Sequence, residues 1–182
     1  MQSITIQKIS ITQLKTEIIV NAANSDLQQG GGVCGHIFNA AGPKELQNAC
    51  DKIGGCKTGS AIITPGFKLC KYIVHAVGPI WRGGNNHEPE DLYDCYKKSL
   101  DLAKENKCNS IGFPLISAGI FGYPVDKAWG KALQSINDWL IDNKGYDIDV
   151  VFAVLDNSIL DTGLKTAQDL GISINLKSDA NS

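Results

Sequence analysis

The sequence predicts an α/β fold, a three-layer α/β/α sandwich around a mixed, mostly parallel six-stranded sheet. Strand-like and helix-like stretches alternate along the chain, and alternation of this kind is typical of parallel sheets with helices on both faces. Pro-Gly and Gly-Pro pairs follow two of the strand-like stretches and mark turns. With 182 residues the chain can bury one core and is short for two. We therefore expect one domain over residues 1–176 and a polar C-terminal tail over 177–182.

Apolar periodicity places each element. β-Branched runs or alternating apolar residues predict strands at 3–9, 17–20, 60–64, 72–77, 111–116 and 149–155. Helical spacing predicts helices at 33–41, 90–106, 126–143 and 158–170. In the second of these helices, Leu92, Tyr96 and Leu100 recur every four residues and form an apolar face. Ligands of such sheets bind beyond the carboxyl ends of the strands, so a site is expected there.

Composition excludes several classes of function. A formal net charge of −2 provides no basic surface, so binding to nucleic acid is not expected. No apolar run approaches the roughly 18 residues that span a bilayer, and no signal peptide is apparent at the start. We therefore expect a cytoplasmic monomer that does not associate with membranes.

The six cysteines have no Cys-x-x-Cys spacing and the three histidines are scattered. A domain of this size does not need disulfides, so free thiols in a reducing cytoplasm are expected. Cys34 and His36 could share a metal, but no second ligand pair accompanies them. We expect no metal and no cofactor.

One candidate ligand loop follows the strand at 17–20. It contains the pair Asn21 and Asn24 and ends in three consecutive glycines, Gly30–Gly32, that lead into a helix. Glycines let the backbone approach a ligand closely, and the N–H groups at a helix start favour an anion. A flexible turn is the alternative. No Gly-Lys-Ser/Thr follows and the glycines are contiguous, so the loop is neither a Walker phosphate loop nor a dinucleotide fingerprint.

The second candidate loop, residues 117–124, follows the strand at 111–116 and also opens a helix. Its small residues can expose N–H groups, and Phe121 offers an aromatic surface. Either loop alone could be a tight connection. Two such loops at carboxyl ends of strands predict a diphosphate held from both sides.

These segments together resemble the macrodomain family, and within it the branch that contains de-ADP-ribosylating and O-acetyl-ADP-ribose deacetylase enzymes. The resemblance spans about residues 4–174. It rests on five ordered motifs: Ile19-Val20-Asn21-Ala22-Ala23-Asn24, Gly30-Gly31-Gly32-Val33, Ala40-Ala41-Gly42, His75-Ala76-Val77-Gly78-Pro79 and Ser117-Ala118-Gly119-Ile120-Phe121-Gly122-Tyr123-Pro124.

The resemblance implies a cleft for ADP-ribose or for an ADP-ribosylated protein. Asn24 would bond the distal ribose, with Asn21 ordering the loop from behind and His75 in the core or at its rim. The ribose and one phosphate would be lined by Gly31, Gly32 and Val33. The diphosphate would be held by backbone N–H groups of Ser117, Gly119, Ile120 and Phe121, with Ala118 as a further contact. The adenine would be bordered by Ser10, Ile11, Leu155 and Asn157.

The sequence departs from the family pattern at the adenine end. Much of the family has aspartate where this chain has Ser10, and that carboxylate accepts a hydrogen bond from the adenine amine. A hydroxyl in its place should cost about 1 kcal/mol. We expect retained ADP-ribose binding with relaxed base selectivity, unless the strand register differs and Ser10 is merely a polar surface residue.

A second departure concerns chemistry. The de-ADP-ribosylating branch has Val-Asp-Gly after its glycines, whereas this chain has Val33-Cys34-Gly35, and Phe38 replaces a histidine common there. Loss of a general base typically costs about 10²–10⁴-fold in rate. Cys34 could act as a nucleophile, but packing beside the ribose is favoured because His36 lies on another helix face.

Two main functional hypotheses follow. The first is hydrolysis of ester-linked ADP-ribose, on acidic side chains or in O-acetyl-ADP-ribose, by a positioned water with Asn24 and Cys34 at the catalytic positions. The second is a non-catalytic ADP-ribose-binding module. A role in RNA binding is disfavoured by the acidic balance.

Overall fold

The computed structural model describes residues 1–177 as one α/β domain. The strands are β1 (Gln2–Lys8), β2 (Ile18–Ala22), β3 (Ala61–Pro65), β4 (Tyr72–Ala76), β5 (Ser110–Phe113), β6 (Ile148–Val154) and β7 (Asn175–Lys177). The α-helices are α1 (Gly32–Ala41), α2 (Pro43–Ile53), α3 (Glu88–Glu105), α4 (Val125–Asp142) and α5 (Asn157–Leu170), with a short 3₁₀ helix at Ile11–Gln13.

The sheet has the strand order β3-β4-β2-β5-β6-β1-β7. All neighbours are parallel except β3 and β4, so the predicted mixed, mostly parallel sheet and its six strands are confirmed. The short strand β7 adds to these at one edge, where it pairs with β1 from Thr5 to Gln7. Lys177, the first residue of the predicted tail, is the last residue of β7, where the edge of β1 offers backbone partners. Residues 178–182 of that tail lie outside the described residues.

Helices cover both faces of the sheet. On one face α3, α4 and α5 pack on a core that includes Trp129, Phe113 and Phe152. On the other, α1 and α2 enclose a smaller core around Phe38 and Ile73. Helix α2, which the apolar periodicity did not predict, begins with Pro43 and ends at Gly54 in the left-handed conformation, the usual start and stop signals. Within residues 1–177, no helix combines the length and apolar character needed to cross a bilayer.

The sheet splits between β2 and β5 at its carboxyl edge. β2 pairs with β4 as far as Ala22, but with β5 only at Ile18 and Ile19. β5 ends at Phe113, and the next residue, Pro114, has no N–H to continue the ladder. The buried hydroxyl of Tyr96, on α3, accepts from the Ile116 N–H at 2.9 Å. The chain is thereby held away from β2, and a gap opens between two neighbouring strands.

A buried polar chain ties the end of β2 to the next two strands. The Asn21 amide nitrogen lies 3.1 Å from His75 Nδ1, and His75 Nε2 lies 3.0 Å from the Thr64 hydroxyl, which donates to the Pro65 carbonyl. These contacts fit a neutral imidazole that accepts at Nδ1 and donates at Nε2. His75 is fully buried, so it is a core residue that fixes Asn21 behind the β2 loop.

The packing of α5 against α4 predicts opposite effects at two helical glycines. A Cβ on Gly163 would lie 2.7 Å from the Trp129 ring, whereas a Cβ on Gly130 would meet nothing within 4 Å. We expect Gly163→Ala to lower the free energy of unfolding by about 1–3 kcal/mol through overpacking. Gly130→Ala should raise it by up to about 1 kcal/mol. Urea denaturation measures both, and equal effects of the two substitutions would contradict the packing described.

Burial of His75 predicts a pH-dependent stability. Burial lowers the pKa of this imidazole from 6.5 to about 4. The unfolded chain takes up the proton below pH 6.5 while the folded chain does not, so this contribution is complete above pH 6.5 and is lost as pH falls toward 4. Between pH 7.5 and pH 5 we expect the free energy of unfolding to fall by about 2 kcal/mol because of His75. The variant His75→Gln should lack this decrease, whereas His36→Gln, at an exposed position, should retain it. A pH dependence in His75→Gln as steep as that of the unsubstituted protein would refute this assignment.

Candidate functional site

The gap between β2 and β5 is a cavity of about 390 Å³. The loops predicted from the sequence form its two walls. Its lining residues are Ala22, Ala23, Asn24, Gly30, Gly31, Gly32, Val33, Cys34, Pro114, Leu115, Ser117, Gly119, Ile120 and Phe121. A volume of this size is in the range of small-molecule sites.

The first wall is the start of α1, which no side chain caps. Gly31 is its N-cap residue, without a side-chain hydrogen bond, and the first turn carries no acidic residue. The N–H groups of the first turn have no partner within the helix and lie beside the cavity. Gly32 has a φ of +57°, a conformation that glycine adopts at little cost. A Cβ on Gly31 or Gly32 would meet nothing within 4 Å, so a ligand can approach this backbone closely.

The second wall supplies further donors. Within residues 1–177, no hydrogen-bond acceptor is found for the backbone N–H groups of Gly119, Ile120 and Phe121. Ser117 has a φ of +66°, and its buried hydroxyl has no partner among the described residues. It packs against Gly78, where a Cβ would come within 2.2 Å of Ser117 Oγ. The three backbone amides are therefore available to a ligand that fills the cavity.

Asn24 braces the first loop as well as lining the cavity. Its amide nitrogen donates to the Gln28 carbonyl at 2.9 Å, and its oxygen accepts from the Gln28 N–H at 3.0 Å. The amide retains a second N–H and a second lone pair. Asn24 can therefore hold the loop and still bond a ligand hydroxyl.

Cys34 lies behind the glycines with its sulfur facing two donors. The Gly30 N–H lies 3.4 Å from Sγ and the Asn21 amide nitrogen 3.6 Å from it. The sulfur itself is 3.9 Å from the Gln28 carbonyl. Phe38 is buried one turn further along α1. Its ring lies edge-on to that of His75, with the ring centroids 6.3 Å apart. The thiol thus lines the cavity at a point where two N–H groups converge, and His36 is exposed away from it.

Apolar side chains project around the same opening. Ile120 is 91% exposed and Val33 39% exposed, although both line the cavity. A mostly apolar concave site with a few polar groups is typical of small-molecule binding, and a ligand in this cavity would contact both side chains.

Five of the predicted site residues do not line this cavity: Ser10, Ile11, Ala118, Leu155 and Asn157. The Ile11 side chain is in the core, so only its backbone could reach a ligand. Ser10 precedes the 3₁₀ helix, and its hydroxyl lies 3.2 Å from that of Thr12. Leu155 is 70% exposed, just beyond the paired ends of β1 and β6. An adenine site on the open surface over the ends of β1 and β6, beside the cavity, stays a prediction.

The start of α5 differs in charge from that of α1. The Asp156 carboxylate accepts hydrogen bonds from the Ser158 hydroxyl and from the N–H groups of Ser158 and Ile159. The Ser158 hydrogen bonds lower the pKa of Asp156, so this helix start is already occupied by an anion. The surface beside Asn157 therefore suits a neutral group better than a phosphate.

The sequence did not single out some cavity residues. Ala22, Ala23, Pro114 and Leu115 line the gap because the chain leaves β2 and β5 there, and small or apolar residues after a strand give no distinctive signal. Gly30 belongs to the glycine run that the sequence predicts as a ligand loop, but its hydrogen bond to Cys34 leaves no signal in the sequence. Among the described residues, no group of three or more His, Cys, Asp or Glu side chains could hold a metal.

Comparison with known proteins matches residues 20–132 to the Macro domain family model. A macro domain-containing protein of Chlorobaculum tepidum is 48% identical over 85% of this chain and 89% of its own length. The human ADP-ribose glycohydrolase MACROD2 is 46% identical over 84% of this chain, which spans only 36% of that protein.

Solved structures agree with the sequence matches. A macrodomain of Oceanobacillus iheyensis with ADP superposes with a TM-score of 0.86 at 39% identity, covering 91% of this chain and 90% of that one. A Trypanosoma brucei macrodomain in complex with ADP-ribose gives 0.80 at 35% identity, covering 89% of this chain and 68% of the other. With its fold, its two glycine-rich loops and these relatives, the chain belongs to the macro domain family.

Proposed function

We propose that the cavity between β2 and β5 binds the distal ribose and diphosphate of ADP-ribose. The observation that carries this proposal is the convergence of backbone donors from both walls, the first turn of α1 and the loop Gly119–Phe121, on one cavity. Donors of this kind suit a diphosphate, because hydrogen bonds to a charged group contribute about 1.5–3 kcal/mol each. Relatives described as binding ADP-ribose or hydrolysing its linkages support the same ligand.

We further propose that the chain hydrolyses ester-linked ADP-ribose. A water held by a ligand phosphate attacks the anomeric carbon of the distal ribose, the bond from that carbon to the acyl oxygen breaks, and the carboxylate departs with the bonding electrons. The water proton passes to the phosphate oxygen. Asn24 orients the ribose, and the walls at Val33 and Phe121 restrict it. Positioning supplies the acceleration that a general base would otherwise provide.

The alternative function is a non-catalytic ADP-ribose-binding module. It is favoured by one specific observation, the thiol of Cys34 at the position where related hydrolases are expected to carry a carboxylate. The two N–H groups that converge on this thiol would also bond a carboxylate and favour its ionised, basic form.

These alternatives are separated by measuring release of ADP-ribose from a glutamate-linked mono-ADP-ribosylated peptide. We expect slow release by the unsubstituted protein, a rate within about threefold for Cys34→Ala, and a rise of about 10²-fold for Cys34→Asp as a general base is supplied. Asn24→Ala should abolish most of the release. Calorimetry with free ADP-ribose on each variant separates loss of binding from loss of chemistry.

Tight ADP-ribose binding without any release would identify the binding module. A loss of activity in Cys34→Ala as large as that in Asn24→Ala would contradict catalysis by positioning and indicate participation of the thiol.

A further inference from the structure

A second cavity, of about 690 Å³, lies on the other side of the 117–123 loop. Its walls come from the segment after β4, from the start of α3, from α4, and from the end of α5 with the segment that follows it. The aromatic rings of Trp81 and Tyr123 form its end nearest the first cavity, and Lys127, Lys131 and Asp138 line its length.

The two cavities share a wall. The backbone N–H of Trp81 donates to the backbone carbonyl of Phe121 at 2.8 Å, and Phe121 lines the first cavity. Two residues later, the ring of Tyr123 packs against that of Trp81, with the centroids 4.7 Å apart and the planes tilted by 56°. A molecule that leaves the first cavity over Phe121 therefore meets Trp81.

The Trp81 segment is a fixed wall. The Glu88 carboxylate, buried at the start of α3, accepts the backbone N–H groups of Arg82, Gly84 and Asn86. Burial alone would raise the pKa of Glu88, but these hydrogen bonds lower it to about 2. The carboxylate thus stays ionised and holds the segment in place, and the second cavity exists without rearrangement of this loop.

The charges along α4 are arranged unevenly. Lys127, Lys131 and Asp138 lie four and seven residues apart on one helix face, a span of about 16 Å. The cations are at the end near the first cavity. Lys127 Nζ lies 5.4 Å from the centre of the Trp81 ring, and Lys131 Nζ donates to the Gln134 side chain. Among residues 1–177, neither lysine forms an ion pair with a carboxylate, although Lys131 lines a neighbouring pocket together with Glu90 and Asp94. At the far end, Asp138 accepts the Tyr93 hydroxyl at 2.6 Å.

The strand order indicates which part of a bound ligand would face the second cavity. An adenine beyond β6, a diphosphate beyond β5 and β2, and a distal ribose at Asn24 would follow successive neighbours in the sheet. The next strand in that direction is β4, and the segment after β4 carries Trp81. A group attached to the distal ribose is thereby directed to the aromatic and cationic end of the second cavity.

We propose that the second cavity binds the polypeptide that carries the ADP-ribose, as an extended segment with acidic residues next to the modified one. About five residues of extended chain span the 16 Å along α4. Their carboxylates would pair with Lys127 and Lys131, and an apolar part of the segment would cover Trp81. This inference rests on the proposed function, because the orientation of ADP-ribose in the first cavity determines where the attached polypeptide leaves it.

The test uses a glutamate-containing peptide that carries ADP-ribose through a non-hydrolysable linkage, so it does not depend on catalysis. Affinities are measured for this peptide with acidic flanking residues, for the same peptide with neutral flanking residues, and for free ADP-ribose. The variant Lys127→Glu/Lys131→Glu is compared with Lys44→Glu/Lys165→Glu, which makes the same change in charge at exposed positions of α2 and α5.

We expect Lys127→Glu/Lys131→Glu to weaken binding of the acidic peptide about tenfold or more, in a manner that added salt diminishes. Binding of free ADP-ribose should change less than about twofold, and the control variant should match the unsubstituted protein. An equal loss for free ADP-ribose, no preference for acidic flanks, or the same dependence for an ADP-ribosylated oligonucleotide would overturn the proposal. If the unsubstituted protein does not bind free ADP-ribose at all, the proposed function itself fails, and this inference fails with it.

Discussion

The separation of β2 from β5 is the constraint on which the site depends. Two parallel neighbours would normally continue their ladder to the sheet edge, but this pairing stops at Ile19. Pro114 cannot donate to it, and Tyr96 binds the chain that follows on the α3 side. Because the crossover connection places these strands side by side, the loops that leave them must face each other across the gap. A different strand order would put the same loops far apart.

The electrostatic potential along this sheet edge is set by backbone groups and by whether a side chain caps each helix start. The start of α1 is uncapped and leaves its positive end to the cavity, while that of α5 is neutralised by Asp156. A site built in this way can hold a diphosphate without a single lysine or arginine in its lining. The chain's slightly acidic net charge is therefore compatible with an anionic ligand, because the attraction is local.

Cys34 illustrates how the same frame can serve catalysis or binding alone. The Gly30 N–H and the Asn21 amide point at its sulfur, and Asn21 is fixed in turn by the buried His75. Asn21 and His75 of this frame do not line the cavity. Under the proposed function, the side chain placed within this frame decides between hydrolysis and binding alone.

Much of this architecture could be predicted from the sequence, since long apolar periodicities such as that of Leu92, Tyr96 and Leu100 reflect burial on one helix face. Helix α2 was missed because it buries only Leu46 and Cys50, too few for a clear period, although Pro43 and Gly54 mark its ends. Strand β7 could not be predicted, because pairing with the edge of β1 leaves no local pattern.

The loops at the candidate site could be located from their glycines, but their contacts could not. The left-handed conformation of Ser117 and the bond between Trp81 and Phe121 depend on segments distant in sequence. So does the extent of the cavity, which stops short of Leu155.

A crystal structure of the chain with ADP-ribose would show whether both walls bind the same diphosphate. We expect one diphosphate within hydrogen-bonding distance of N–H groups from both the first turn of α1 and the loop Gly119–Phe121, with the distal ribose at Asn24. A diphosphate bound by only one of these walls, or bound at the capped start of α5, would contradict it.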